Sequence, residues 1–313
     1  MTGYITLCSG ESRQLPELLG WDLTHGFCSP CDCFEVSFLY SREMLESLKK
    51  AVRFKAVHGG EAVFFGVVDE LELSADSSGC AAVLRGRGMQ ALLLDNEAES
   101  ADYSGATADF ILSRHAAPFG VKDWDCSGLG AVRADLSVSA GDSCWSVIDS
   151  FAQFCAGVRP RFSREGRLVL DGGKGGRERV FSGSTGISAQ SFVQDRYGVI
   201  SSALVKNRVL GSEAVVTNPE FLALGGCCRR VVSVPRKTAY DAMKHTGTYQ
   251  IRRSAENFRS GSLTLPGLFA AFPGDVAVLK DTPLGADGRF TVRQSRCWAD
   301  AHSAGTVLSL TPV

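Results

Sequence analysis

The sequence lacks the features that most often mark a nucleic-acid-binding protein or a membrane protein. Its 33 Lys and Arg residues are balanced by 34 Asp and Glu, and the formal net charge is -1. A nucleic-acid binder usually has a basic excess, because neutralised phosphates supply most of its affinity. No segment approaches the roughly 20 apolar residues that a membrane helix requires. The composition therefore argues against specific nucleic-acid binding and against membrane insertion.

Motifs of nucleophilic and phosphate-binding enzymes are also missing. Gly183-Ser-Thr-Gly lacks the spacing of a G-x-S-x-G elbow. Gly172-Gly-Lys-Gly-Gly is rich in glycine, but it lacks the Lys-Ser/Thr ending and the following helix of a phosphate loop. We expect both segments to be turns, and we predict no catalytic or cofactor-binding residue and no cofactor.

The titratable residues form no recognisable catalytic pair. Asp69 with Glu70, or Glu97 with Glu99, is the only arrangement that suggests an acid–base pair for sugar hydrolysis, and exposed acids near turns are common. The chain has only five histidines, and none pairs with an acidic residue at a telling interval. We expect solvated or structurally bonded imidazoles at His58, His115, His245 and His302. Two dibasic pairs, Arg229-Arg230 and Arg252-Arg253, are expected on a solvated face.

Cysteine, in contrast, is abundant. The eleven cysteines have irregular spacings, and several lie in apolar contexts where a thiol behaves as a small hydrophobic group. The first residues, Met1-Thr-Gly-Tyr-Ile-Thr-Leu, lack the basic start and apolar stretch of a secretory signal. We therefore expect reduced thiols in a chain that folds in the cytoplasm.

The sharpest candidate for a metal site is a cluster of His25, Cys28, Cys31 and Cys33. A Cys-x-x-Cys turn supplies two ligands at the bite that zinc prefers. A second ligand pair normally comes from a distant segment, and one residue between Cys31 and Cys33 is an awkward spacing. These points favour a cysteine-rich turn, so we predict no metal ligand. A cytoplasmic metal-dependent enzyme that uses residues 25–33 stays open as an alternative.

The pattern of apolar residues predicts a mainly β chain with an α+β insert. Four or five strands with short connections in the first hundred residues indicate a small barrel or sandwich. Residues 1–33 are turn-rich and receive no assignment. The predicted domains are a first β-barrel-like domain at 1–104, an α/β insert at 105–175, and a second β-barrel-like domain at 176–313 with one helix around 239–258.

Two helices and a glycine-rich joint define the predicted insert. The first is capped by Thr107 and closed by Pro118, with a face of Phe110, Ile111 and His115. The second starts near Asp142 and ends at Gly157. Its spacing predicts four buried side chains: Trp145, Ile148, Ala152 and Cys155. Asp171-Gly-Gly-Lys-Gly-Gly then follows as a flexible joint.

A series of short segments occurs in a fixed order along residues 34–313. They are Phe65-Gly-Val-Val-Asp, Leu84-Arg-Gly-Arg-Gly, Thr107-Ala-Asp-Phe-Ile-Leu, Val138-Ser-Ala-Gly-Asp-Ser-Cys-Trp, Arg164-Glu-Gly-Arg-Leu-Val-Leu, Phe272-Pro-Gly-Asp-Val-Ala-Val-Leu, Gly288-Arg-Phe-Thr-Val and Gly305-Thr-Val-Leu-Ser-Leu-Thr-Pro. In this order the chain resembles the tail-hub family of contractile phages and related injection devices. That family includes the Mu-like baseplate hub, the late-control-gene-D proteins and the N-terminal part of type VI secretion spike proteins.

This resemblance implies a non-enzymatic structural protein. It implies a homotrimer in which two β-barrels per subunit form a ring of six similar units around a channel. A sixfold tail tube protein would bind one face and a threefold central spike protein the other, with a tape-measure protein and a LysM-like baseplate protein as further partners. The expected location is the tail baseplate of a virion or phage-like particle, assembled in the bacterial cytoplasm. The hub of a flexible-tail phage or of a secretion spike is the alternative with the same fold.

Overall fold

Strands dominate the first hundred residues of the chain. The computed structural model describes residues 1–26, 31–77, 79–171, 176–183, 186–234, 240–255 and 258–312. The strands of this first region are β1 (Thr2–Leu7), β2 (Ser12–Gln14), β3 (Leu18–Gly26), β4 (Cys33–Leu39), β5 (Ala51–His58), β6 (Glu61–Asp76) and β7 (Gly79–Gly88). A 3-10 turn (Arg42–Met44) and helix α1 (Leu45–Lys49) separate β4 from β5.

One local prediction for this region is wrong. The segment 1–33, predicted to be turn-rich, contains the three strands β1, β2 and β3. Along β3 the side chains of Trp21, Leu23 and His25 alternate into the interior. Strand β6 is long and continues through a bulge after Val68.

The middle of the chain is built from short strands and two main helices. Its elements are α2 (Ala91–Leu94), β8 (Ala101–Ala106), α3 (Ala108–His115), β9 (Trp124–Asp125), β10 (Ala134–Val138), α4 (Cys144–Ala156), β11 (Arg161–Phe162) and β12 (Leu168–Val169). The hydroxyl of Thr107 accepts a hydrogen bond from the Phe110 N–H, as predicted, and Gly157 ends α4 with a φ of 64°.

Two side chains in this insert are more exposed than the helical spacing predicts. Phe110 is 47% exposed, because the buried stripe of α3 instead runs through Ile111 and Leu112. Trp145 is half-buried, and its indole stacks against Phe162 at the edge of the core. The predicted glycine-rich joint falls on residues 172–175, which lie outside the described residues.

The last third of the chain returns to strands. Its elements are β13 (Glu178–Ser182), β14 (Ala189–Gln194), β15 (Ser202–Asn207), β16 (Ser212–Thr217), α5 (Pro219–Ala223), β17 (Arg229–Ser233), α6 (Tyr240–Ala255), β18 (Arg259–Leu265), β19 (Val276–Lys280), β20 (Gly288–Ala299) and β21 (Ala304–Pro312). The predicted helix around 239–258 corresponds to α6, which packs on the small sheet β16-β15-β17.

Close packing explains the glycine in the middle of α6. A Cβ added to Gly247 would lie 2.7 Å from a methyl group of Val216 and 3.2 Å from one of Val205. The helix can therefore approach its sheet closely only at a residue without a side chain. Tyr240, predicted on the packed face of this helix, is 52% exposed at its first turn.

Strands of the two β regions belong to one sheet. The order β14-β18-β21-β20-β3-β4-β7-β6-β5-β1-β2 runs without interruption, and β19 and β13 extend it from β20. The first half of β20 pairs with β19, and its second half pairs with β3 after a bulge between Val292 and Gln294. The sequence predicts two separate barrels. Among the described strands the pairings join the two β regions and close no barrel.

Three large hydrophobic cores lie along this framework. One is formed by residues from Ile5 to Leu84, one by residues from Met89 to Leu170, and one by residues from Phe181 to Leu310. Cys297, in the second half of β20, lies in the core of the first region. The predicted boundary at 104/105 falls inside β8, and the boundary at 175/176 stays a prediction.

Substitution of two glycines tests this strand placement. Gly66→Val is expected to lower the free energy of unfolding by about 3 kcal/mol, because a Cβ would overlap the Arg87 carbonyl oxygen of the paired strand. Gly274→Val is expected to cost about 2 kcal/mol, because residue 274 has a φ of 94°. Gly267→Val is the matched control, since nothing lies within 4 Å of its Cβ position. Chemical denaturation measures all three, and unchanged stability of the first two would contradict the assigned strands.

Candidate functional site

His25 lies in the interior of the first β region, at the end of β3. Its Nε2 atom lies 2.8 Å from the carbonyl oxygen of Val63, so this nitrogen carries the proton and donates it. The rings of Phe64 and Phe272 approach the imidazole edge-on, at centroid distances of 5.3 and 5.4 Å. Burial lowers the pKa of His25 and keeps the imidazole neutral. His25 is therefore a buried structural donor.

Asp32 is the second buried titratable group here, and no sequence motif identifies it. One carboxylate oxygen accepts a hydrogen bond from the Gly26 N–H at 2.8 Å, and the backbone carbonyl accepts one from the Gly88 N–H at 2.8 Å. Burial raises the pKa of Asp32, and the hydrogen bond from the Gly26 N–H to its carboxylate opposes part of this shift. The residue thus fastens the end of β3 to the end of β7.

The predicted metal candidates do not converge. His25 points into the core from β3, whereas Cys33 is exposed on the outer face of β4, opposite Thr24. These two side chains lie on opposite faces of one sheet and cannot ligate the same ion. Burial raises the pKa of Cys31 to about 12, so its thiol is protonated at neutral pH. Cys28 lies outside the described residues.

No other metal site is formed in the part of the chain that the structure describes. Within it, no group of three or more His, Cys, Asp or Glu side chains is arranged to hold a metal ion. Its nine cysteines other than Cys31 form no disulfide with one another. None of its helices is long and apolar enough to cross a bilayer.

Three of the four carboxylates considered as an acid–base pair are engaged in ion pairs. Asp69 binds Arg87 at 2.8 Å, and Glu70 binds Arg85 at 2.9 Å, on the exposed face of the sheet. Glu99 lies 3.2 Å from an exposed arginine on α3. The first two ion pairs connect the neighbouring strands β6 and β7 on the surface of the sheet.

The remaining histidines and the dibasic pairs have structural or solvated positions. The ring of His115 is buried beside α3, with its Nε2 atom 3.0 Å from the Tyr103 hydroxyl. His302 is exposed in the turn before β21. The dibasic pairs of residues 229–230 and 252–253 are exposed, as predicted.

A cleft with a volume of about 220 Å³ lies where the three parts of the chain meet. Its walls come from the first β region, from the β11–β12 hairpin of the insert, and from the second β region. The titratable side chains in its lining are His25, Asp32, Arg161, Arg164, Glu165, Arg177, Arg179 and Asp275. The alternation of polar and apolar residues in the sequence does not indicate that these side chains meet in one cleft.

Free strand edges are a second feature of the structure that is suited to binding another protein chain. Among the described strands, β14 ends the large sheet and pairs only with β18, and β13 pairs only with β19. Val193 on β14 is 53% exposed, and Val180 on β13 is 49% exposed. An exposed edge with apolar side chains offers unpaired N–H and C=O groups to a strand of another chain. These edges are candidate assembly surfaces.

The fold is shared with phage tail proteins of known structure. The tail protein from Neisseria meningitidis MC58 matches with a TM-score of 0.77 and 16% identity, over 99% of this chain and 95% of that one. The 43 kDa tail protein of prophage MuSo2 from Shewanella oneidensis matches with a TM-score of 0.76 and 17% identity, over 99% and 98%.

A component of a secretion machine has a related fold. The E. coli c3393 protein, a component of the type VI secretion system, matches with a TM-score of 0.57 and 12% identity, over 95% of this chain and 74% of that one. No protein-family model and no curated protein sequence matches the chain. The resemblance to the tail-hub family is thereby confirmed as a likeness of fold: the chain has the architecture of phage tail proteins.

A histidine substitution tests the buried imidazole. The pKa of His25 is lower in the folded chain than in the unfolded chain, so the unfolded chain binds a proton at this imidazole at a higher pH than the folded chain. The free energy of unfolding is therefore expected to fall as the pH decreases below about 6.5. One such proton changes the free energy of unfolding by at most about 1.4 kcal/mol per pH unit. In His25→Gln the amide still donates to the Val63 carbonyl but does not titrate, so the curve between pH 5 and 6.5 should flatten.

The control for this experiment is His302→Gln, at an exposed position. Asp32 titrates in the opposite sense, since its raised pKa lets the folded chain bind a proton first, and its contribution grows as the pH falls through the folded pKa. Urea denaturation at several pH values provides the measurement. Equal slopes for the wild type and His25→Gln would mean that the imidazole is not held neutral.

Proposed function

We propose that the chain is a structural hub of a phage tail baseplate, with no catalytic activity. The observation that carries this proposal is the match in fold to two phage tail proteins over 99% of the chain. Three buried polar side chains of the described chain add support, because His25, Asp32 and Asp275 are hydrogen-bonded to backbone groups. In that arrangement these three side chains hold strand ends in place.

The hub joins a sixfold tail tube to a threefold spike and surrounds a central channel. Each chain contributes two β regions, so three chains provide six related units around an axis. Closed rings of identical subunits satisfy every interface, which is why such symmetry is favoured. The free edges of β13 and β14 suit this role, because pairing between neighbours would remove exposed edges from the assembly.

The proposed partners and domains follow from this arrangement. A tail tube protein binds one face of the trimer and a central spike protein the other, and a tape-measure protein and a LysM-like protein lie nearby. The assembly belongs to the baseplate of a virion or phage-like particle that is put together in the bacterial cytoplasm. Residues 1–104 and 176–313 supply the ring, and the insert at 105–175 projects from it.

A secretion-system hub is the second candidate. The match to the E. coli type VI component extends over 95% of this chain but only 74% of that protein. That protein therefore contains residues with no counterpart in this chain. The lower TM-score of this match, 0.57 against 0.77, favours the phage tail over the secretion spike.

Native mass of the purified chain tests the trimer. A hub is expected to give a species of about 100 kDa, three times the 33.4 kDa of one chain. Sedimentation equilibrium and native mass spectrometry measure it, and elemental analysis of the same sample measures bound zinc. A metal-free trimer agrees with the proposal, whereas a zinc-loaded monomer would favour the enzyme built on residues 25–33.

A proline on β14 tests the proposed edge. The Asp195 N–H donates to Phe258, so the alternation of an antiparallel ladder directs the N–H of Gln194 away from β18. Gln194→Pro removes this outward donor and is expected to reduce the trimer fraction at least tenfold at micromolar concentration, with unfolding unchanged. Gln194→Ala keeps the N–H and serves as the control. If both variants stay fully trimeric, β14 is not the paired edge.

A further inference from the structure

Two arginines of the second β region line the junction cleft without a carboxylate partner. Arg177 and Arg179 both contribute to its wall, while Glu178 between them lies on the other side and binds Arg289 at 2.7 Å. Among the described residues, neither Arg177 nor Arg179 forms an ion pair. The strand thus places two uncompensated positive charges on one side of the cleft.

Two arginines of the insert lie on the facing wall. Arg161 donates to Asp171 at 2.7 Å in an ion pair that is largely buried. The guanidinium of Arg164 lies over the ring of Phe272, 4.8 Å from its centroid, and binds two carboxylates at its exposed end. Both side chains are therefore fixed in position, and a ligand would find them already ordered.

Buried donors without an acceptor distinguish this cleft from the rest of the molecule. Only three buried side-chain N or O atoms in the described chain have no hydrogen-bond partner, and two of them are the Nε atoms of Arg161 and Arg179. A buried N–H without a partner costs about 1–3 kcal/mol. Both atoms belong to side chains that line this cleft, one from each wall, so an acceptor that binds there and reaches them would remove this cost.

The carboxylates in the cleft cannot serve as that acceptor in the observed arrangement. Asp275 accepts hydrogen bonds from the backbone N–H groups of Arg177 and Phe272, at 2.8 and 3.0 Å. Asp32 is held by the Gly26 N–H, and Glu165 binds Arg164. Each acid already has a donor, and the unused donors all belong to arginine.

We infer that this cleft is a binding site for a small oxyanion, either a phosphate or a carboxylate group. A guanidinium presents several N–H groups in a plane and matches the oxygens of these anions better than those of any neutral ligand. The volume of about 220 Å³ is below the 300–1,000 Å³ that is usual for drug-sized ligands. The site therefore takes a single anionic group, which is either a free ion or the side chain of an acidic protein segment.

Binding would add a polar connection between the insert and the second β region. An oxyanion shared by Arg161 and Arg179 joins the insert to the second β region, on either side of residues 172–175. A ligand that binds only the folded arrangement stabilises it in proportion to its concentration. The inference stands on the cleft alone and does not depend on the proposed function.

Thermal unfolding of the full chain in inorganic phosphate tests the site. The midpoint is measured as phosphate replaces chloride at constant ionic strength and pH, with parallel series in acetate and in a short glutamate peptide. A saturable rise of about 2 to 4 °C is expected in phosphate for the wild type. A larger rise with the peptide at equal carboxylate concentration would identify a protein segment as the source of the anion.

Matched arginine variants separate the cleft from general anion effects. Arg179→Gln and Arg177→Gln are expected to abolish the saturable rise, and Arg289→Gln, at an exposed ion pair of the neighbouring strand, is expected to retain it. Arg177 is exposed, so its variant keeps the test valid if Arg179→Gln fails to fold. Line broadening of the phosphate ³¹P signal gives a direct second measurement. Equal shifts in all variants, or no saturation, would overturn the inference.

Discussion

The strand β20 is the element on which the rest of the structure depends. Its first half contributes Phe290 and Val292 to the core of the second β region, and its second half contributes Cys297 to the core of the first. A bulge before Gln294 changes the partner on one side from β19 to β3, while β21 remains paired on the other side. The hydrogen bonds of one strand thus fix the two β regions relative to each other.

The position of the junction cleft follows from this bulge. Gly26, the last residue of β3, pairs with Gln294, so the first region ends where the bulge occurs. His25 contacts Phe272 at this point, and the guanidinium of Arg164 in the insert lies 4.8 Å from the centroid of the same ring. One aromatic side chain therefore contacts groups from both other parts of the chain.

Local features of the fold could be predicted from the sequence because they have local causes. The cap at Thr107 and the end of α4 at Gly157 each follow from the chemistry of a few neighbouring residues. The pairing of β20 with β3 could not be predicted, since Arg296 and its partner Asp22 are separated by 274 positions. The alternation of polar and apolar residues identifies a segment as a strand, but it does not identify the strand that pairs with it.

The same limit applied to the candidate site. The cysteine spacing near residue 31 suggested a metal site, but the buried polar side chains of that segment are His25 and Asp32, which are hydrogen-bonded to backbone groups. No pattern in the sequence indicates that Arg177 and Arg179 line one cleft with Arg161. Only the pairing of β13 with β19, which is parallel and spans nearly a hundred residues, brings them together.

Three buried polar side chains of this chain hold strand ends in place. Asp32 binds the backbone at Gly26, Asp275 binds it at Arg177, and His25 donates to the Val63 carbonyl. Such bonds satisfy backbone groups where a ladder stops. The Nε atoms of Arg161 and Arg179 depart from this pattern, since both are buried without an acceptor and belong to side chains that line the junction cleft. Because a buried donor without an acceptor costs free energy, these two atoms support the inference that an anion completes the junction.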